Sequence, residues 1–181
     1  MPRLAALVAA TTLAFSALAP EVARADDDPL WIPSFRGAIG PAFRIGPDKG
    51  VGLSGDIGGG FIYPFAGGRG VFDAEIGYAY DDLGFDAFAA TFGVGVNVLG
   101  DERNQMLYLL YQAHLIVGTF ADHTGAGMRN GISAHALFDT FTLEFGHQFV
   151  NEGVTLHHDV RLLVGINLVA PIYLVARRFG P

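Results

Sequence analysis

The sequence predicts an all-β chain, a single antiparallel up-and-down barrel of about eight strands preceded by a cleaved export signal. Three observations predict it. Large apolar residues alternate with small or polar ones along most of the chain, and turns rich in Gly, Asp, Asn and Pro interrupt the alternation. Of the 181 residues, 51% are hydrophobic and only 16% are charged, well below the roughly 25% usual in a soluble domain. Cysteine is absent.

These values exclude several classes. Mean hydropathy of +0.36 is incompatible with a disordered chain. Without cysteine there is no disulfide framework, thiol nucleophile, Cys-bearing zinc site or acylated lipoprotein anchor. A net charge of −7, from 18 acidic and 11 basic residues, makes nucleic acid a poor partner.

The N-terminus reads as an address. Met1-Pro2-Arg3 is a short basic start, Leu4 to Ala19 is an uninterrupted apolar and small-residue run, and Pro20 breaks it. Ala23-Arg24-Ala25 fits the small-x-small cleavage rule, so cleavage is expected after Ala25. This gives a signal peptide over 1–25, an acidic leader over 26–33 containing Asp26-Asp27-Asp28, and a barrel domain over 34–181.

Eight segments follow. In the first, Phe35, Gly37, Ile39, Pro41, Phe43 and Ile45 alternate with Arg36, Ala38, Gly40, Ala42 and Arg44. Val51 to Phe61 forms a hairpin with it, across Pro47-Asp48-Lys49-Gly50. Val71 to Tyr80 sets Phe72, Ile76 and Tyr78 against Asp73, Glu75 and Gly77. Asp81-Asp82-Leu83-Gly84 makes the next turn, and Ala87 to Val98 the fourth strand. Leu107 to Val117 is apolar on both faces near its start. A loop is expected over Ala121 to Arg129, then strands over Ile132 to Phe138, Thr140 to Phe149 and Leu156 to Asn167. The remainder, Asn167 to Phe179, reads as a ninth strand-like piece, as a prolongation of the eighth, or as part of a helix over Leu162 to Ala176 broken by Pro171.

The second face of each strand decides the meaning of the pattern. On a soluble sandwich it would carry Lys, Glu, Gln and Thr, whereas here it is mostly Gly and Ala with scattered charges. Small residues suit the interior of a narrow closed barrel, and Phe, Val, Ile and Leu suit lipid. The expected fold is therefore a transmembrane β-barrel with its apolar face outward.

A signal, a cysteine-free chain of this size and about eight amphipathic strands resemble the small outer-membrane β-barrels, the group of the OmpA membrane domain, OmpX and the opacity-like surface proteins. The resemblance covers nearly the whole mature chain and rests on architecture. Members of that group end on an aromatic residue of the last strand, whereas here the strand carrying Gly165 ends in Leu168 and Phe179-Gly180-Pro181 closes the sequence. The resemblance implies a place in the bacterial outer membrane, contact with its lipid and lipopolysaccharide, and the barrel-assembly machinery as a partner in biogenesis. It implies no cofactor.

By parity the lumen receives Arg36, Arg44, Ser54, Asp56, Asp73, Glu75, Thr91, Gln112, His114, Ser133, His135, Glu144, Gln148, His157, Asp159 and Arg161. In low dielectric these should pair into a hydrogen-bonded network that fills the interior. Ser133, His135 and Glu144 supply the residue types of an acyl-transfer triad, but lipid A deacylases carry such groups on the lipid-facing surface, whereas parity turns these inward. His147 and His158 share the outward face beside Phe149 and make only a weak two-ligand zinc or copper site, so an amphipathic role at the barrel rim is expected of them; Trp31, Tyr78 and Tyr80 are candidates for aromatic girdles. The expected role is structural or one of surface interaction. The alternatives are a narrow pore, a lipid-modifying hydrolase or a soluble periplasmic β-protein.

Overall fold

A computed structural model describes residues 31–46, 48–100, 105–120, 123–152 and 155–179. The signal peptide expected over 1–25 lies outside them. Eight strands run β1 (Ile32–Ile45), β2 (Gly50–Phe65), β3 (Gly70–Asp81), β4 (Phe85–Leu99), β5 (Leu107–Phe120), β6 (His123–Ala136), β7 (Phe141–Glu152) and β8 (Thr155–Asn167), and a helix α1 (Ala170–Phe179) follows. Each strand pairs antiparallel with the next, and β1 pairs with β8 from Arg36↔Asn167 to Ile45↔His158, which closes the barrel. We call the end holding Ile32, Leu107 and Asn167 the near end, and the end holding Ile45, Gly50 and Asp81 the far end.

Alternation is realised on every strand. Ile39, Leu53, Ile76, Phe92, Leu115, Ile132, Leu143 and Val164 are exposed on the outside, one from each strand in turn. Arg36, Ser54, Asp73, Thr91, Gln112, Arg129, Glu144 and Arg161 are buried within. Trp31 stacks on Tyr63 at 4.7 Å and meets Phe61 edge-on at the near end, while His147, Phe149 and His158 form an aromatic group at the far end. Tyr80 lies toward the far end, and Tyr78 packs edge-on against Phe88.

Two expectations about the elements are corrected. The loop expected over Ala121 to Arg129 is largely strand, because β6 starts at His123 and pairs with β5 from Phe120↔His123 onward. Its glycines, Gly125 and Gly127, are strand residues rather than loop residues. The segment after Asn167 is neither a ninth strand nor a helix begun at Leu162. β1 already occupies the free edge of β8, and the chain turns into α1, whose first turn accepts Pro171 because the amide there has no intrahelical partner. Asn167 Oδ1 accepts from the amides of Val169 (3.0 Å) and Ala170 (3.1 Å), capping the helix start.

Helix α1 stoppers the near end. Ala170 and Leu174 join Ile32, Ile62, Val71, Tyr108 and Leu110 in a buried apolar cluster. That cluster explains why β5 begins apolar on both faces: Tyr108 and Leu110 face the stopper, not the outside. At the far end Ala79, Phe85, Ala87, Ile116 and Val150 form a second apolar cluster inside the wall.

Interior glycines allow the walls to approach. A Cβ placed on Gly95 would lie 1.8 Å from the Leu109 carbonyl oxygen, and one on Gly40 1.9 Å from that of Leu162. Outward-facing Gly37 is different, since a Cβ there meets nothing within 4 Å. Replacing Gly95 by Ala should therefore lower stability by about 1–3 kcal/mol, and Gly37→Ala by less than about 0.5. Urea unfolding in micelles, followed by the fluorescence of the single tryptophan, Trp31, checks both.

Candidate functional site

The chemistry-bearing side chains lie inside the barrel in two groups. Toward the near end, Arg36 on β1 faces three carboxylates from β3 and the β6–β7 turn: Glu75 at 3.1 Å, Asp73 at 3.6 Å and Asp139 at 3.6 Å. Gln112 donates to Asp73 (3.2 Å), and Ser34 donates to Glu75 (2.7 Å). Asn167 donates to Ser34 (2.8 Å) and, closely, to Asp139. One carboxylate of this group comes from a turn. Leu137, Phe138 and Asp139 all have left-handed φ values of 54°, 60° and 64°, a run that costs roughly 1–2 kcal/mol per residue. The turn is held by what Asp139 binds: His135 Nδ1 at 2.5 Å, the donating Tyr108 hydroxyl at 2.5 Å, Arg36 and Asn167.

Toward the far end, Arg129 on β6 donates closely to Asp56 on β2, stands 3.5 Å from Glu144 on β7 and contacts His114 Nδ1 at 3.1 Å. Thr91 and His114 share a hydrogen bond of 2.8 Å. Arg161 on β8 donates to Asp56 (3.3 Å), Asp81 (3.3 Å) and the Tyr80 carbonyl (3.0 Å), with its guanidinium 5.2 Å over the Phe85 ring. Arg44 grips Asp159 with two bonds, 2.9 and 3.2 Å, and donates to the Leu83 carbonyl. Bidentate guanidinium to carboxylate pairing of this kind gives the strongest charge-assisted bonds. His157 lies half-buried toward the far end of β8, opposite Val150.

The triad types need one correction. Glu144 turns toward Arg129 and His114, not toward Ser133. The chain Ser133 Oγ to His135 Nε2 (2.7 Å) and His135 Nδ1 to Asp139 (2.5 Å) does have the connectivity of a hydroxyl, imidazole and carboxylate relay. Ser133 and His135 are 0% exposed, however, and Tyr108 stacks on the imidazole at 4.5 Å, so the relay lies within packed side chains. The relay pins a strained turn. His147 and His158 stack with centroids 5.7 Å apart on the outer wall, and among the described residues no group of three His, Cys, Asp or Glu could hold a metal.

Between the two groups lies a cavity of about 40 Å³ lined by Arg36, Asp56, Glu75, Gln112, His114 and Glu144. That is room for one or two waters, which such polar walls can hold, and far short of a channel. Sequence parity missed Arg129, Asp139, Asp81 and Tyr108 as members of the network. Extending the Gly131, Ser133, His135 face back by two residues reaches Arg129, a signal hidden by the Gly-rich composition around it.

No protein-family model matches the chain, and no curated protein matches it. Among solved structures it is similar to a de novo designed transmembrane β-barrel, with 10% identity over 80% of this chain and 100% of that one, TM-score 0.43. It is also similar to Neisserial surface protein A, with 14% identity over 77% of this chain and 96% of that one, TM-score 0.42. A second design, TMB2.3, gives 15% identity over 80% and 98% of the chains, TM-score 0.28. These are likenesses of outline; the closed eight-stranded barrel is read from this chain's own strand pairing.

Two outcomes test the network. Burial alone would raise the Asp139 carboxyl, but Arg36 and His135 outweigh it and hold the group down to about 2. A depressed carboxyl stabilises fully above its unfolded value and loses that contribution as pH falls toward the folded one. The stability gap between the natural protein and Asp139→Asn should thus be about 2 kcal/mol at pH 6 and close toward pH 2, in urea titrations at each pH. Arg129→Met should cost about 3–5 kcal/mol at neutral pH by stranding buried carboxylates, against less than about 0.5 for Arg69→Met in the exposed β2–β3 turn.

Proposed function

We propose that this chain is a bacterial outer-membrane β-barrel with a structural or surface-contact role, its lumen filled by a charged network. The observation that carries the reading is the inverted polarity of the barrel. Phe, Val, Leu and Ile stand exposed on all eight strands, while guanidiniums and carboxylates are buried inside. In water that arrangement would expose a continuous apolar band and desolvate charge for no gain. In hydrocarbon it suits both faces, and closure leaves no unpaired strand edge. Residues 1–25 would direct export, and the partners would be outer-membrane lipid, lipopolysaccharide and, during biogenesis, the assembly machinery. Nucleic acid has no place in this reading, and no cofactor is called for.

Two rival activities are disfavoured by geometry. A pore needs a continuous aqueous path, whereas an apolar cluster with α1 fills the near end of the lumen, a second apolar cluster is buried toward the far end, and the cavity between the charged groups measures only about 40 Å³. A hydrolase needs an accessible nucleophile, and Ser133 is fully buried.

Expressed with its signal, the protein should stay in the urea-washed outer-membrane pellet, and its gel migration in detergent should shift on boiling. In planar bilayers it should give no stepwise conductance. Recovery as soluble, heat-insensitive protein would overturn the membrane reading; steady conductance steps would overturn the closed lumen.

A further inference from the structure

On the outer wall, a groove of about 970 Å³ crosses β1 to β5, walled by Phe35, Ile57, Tyr78, Tyr80, Phe88 and Val117. Its depth comes from Gly55 and Ala90, which stand among these larger outward side chains. Beyond the Gly55 backbone the space is open: a Cβ there would have one near neighbour, the Ala38 carbonyl at 3.4 Å. At the far-end mouth stands Asp86, exposed on the outside of β4 between Tyr80 and Thr119 in the pairing register. The neighbouring carboxylate, Asp82, is engaged by the Tyr80 hydroxyl and the Leu53 amide. Asp86 has no hydrogen-bond or ion-pair partner among the described residues.

We propose that this groove is a binding site for one phospholipid bearing a primary ammonium head, with an acyl chain along the apolar wall and the ammonium on Asp86. The inference rests on the membrane reading above. The wall of the groove is mostly apolar, and its second carboxylate, Asp56, is already paired with Arg129 and Arg161, so hydrocarbon fills the groove without stranding a free charge there. The charge at the mouth selects the head. A primary ammonium neutralises Asp86 and donates hydrogen bonds to it, a trimethylammonium brings the charge without the donors, and an anionic head meets repulsion from Asp82 and Asp86. A second copy seated on this face would have to bury Asp86 against an apolar wall without a cation, which is costly.

The test uses the purified full-length protein in detergent micelles, with phosphatidylethanolamine, phosphatidylcholine and phosphatidylglycerol of one acyl composition added in competition and bound lipid read by native mass spectrometry. One phosphatidylethanolamine per barrel should be retained, preferred about tenfold over each rival, as one charge-assisted hydrogen bond implies. Asp86→Asn should bring phosphatidylethanolamine and phosphatidylcholine to within about twofold of each other while keeping a bound lipid, since the acyl contact survives. Gly55→Leu, which fills the groove, should lose the lipid for all three heads. Equal retention of the three by the natural protein, undiminished retention by Gly55→Leu, or a lipid-free dimer would each overturn the proposal. Heat-dependent migration of every variant reports that the barrel is closed, and vesicle insertion reports the membrane reading separately: a barrel that inserts but retains no lipid sinks this inference alone.

Discussion

Every other feature of the barrel depends on the pairing of buried guanidiniums with carboxylates from other strands. Arg161 and Arg129 both bind Asp56, so β8 and β6 are tied to β2 through one carboxylate. Arg36 does the same at the near end, joining β1 to β3 and to the β6–β7 turn. Taken singly, a buried ion pair contributes little, because desolvation offsets most of the attraction. Here the alternative states are worse. Slipping any strand by one residue would turn its charges outward, away from their partners, and its large apolar side chains into the lumen, so the network specifies register and the strand ladders supply cohesion.

The shape of the lumen follows from an asymmetry between the two halves of the wall. Toward the lumen, about half the positions of β2 to β4 are Gly or Ala, among them Gly58, Gly60, Gly77, Ala87, Ala89 and Gly95, and the charges on these strands are carboxylates on short stems such as Asp56 and Asp73. Facing them, β5 to β8 carry Gln112, His114, Arg129, Glu144, Gln148 and Arg161. Long side chains from one half occupy the space that the other leaves, which is how a narrow barrel reaches interior packing without overfilling. The same glycines let neighbouring backbone approach where a Cβ would collide, as at Gly95. Strand curvature and lumen filling are therefore one constraint expressed twice.

Much of this was legible in the alternation. A period of two assigns each residue of a strand to one face, and the small residues and scattered charges of the second face told the lumen from the outside. Parity does not say how far along or around the barrel a side chain reaches. Glu144 lies opposite Ser133 in register, yet its carboxylate leans to Arg129, because a guanidinium offers it more than a hydroxyl does. Arg129 was hidden by flanking glycines that also occur in loops, and Asp139 by a turn whose left-handed backbone nothing in Leu137-Phe138-Asp139 announces. Helix α1 was obscured by Pro171, a breaker within a helix but acceptable in its first turn.

Asn167 joins the two parts of the molecule that the sequence left separate. Its Oδ1 caps α1 and also accepts from the Phe35 amide, while its Nδ2 donates to Ser34 and Asp139. The residue that ends the last strand therefore seats the stopper helix and completes the polar group beneath it. Asp139 in turn holds the left-handed β6–β7 turn, whose Phe138 packs partly against the same apolar cluster as Leu174. Closing the near end and satisfying its buried charges are consequently not independent events. A stopper lifted from the barrel would withdraw the helix amides from Asn167 and open Arg36 and its carboxylates to water, and only a near end closed by apolar side chains keeps those pairs in the low dielectric where they hold register.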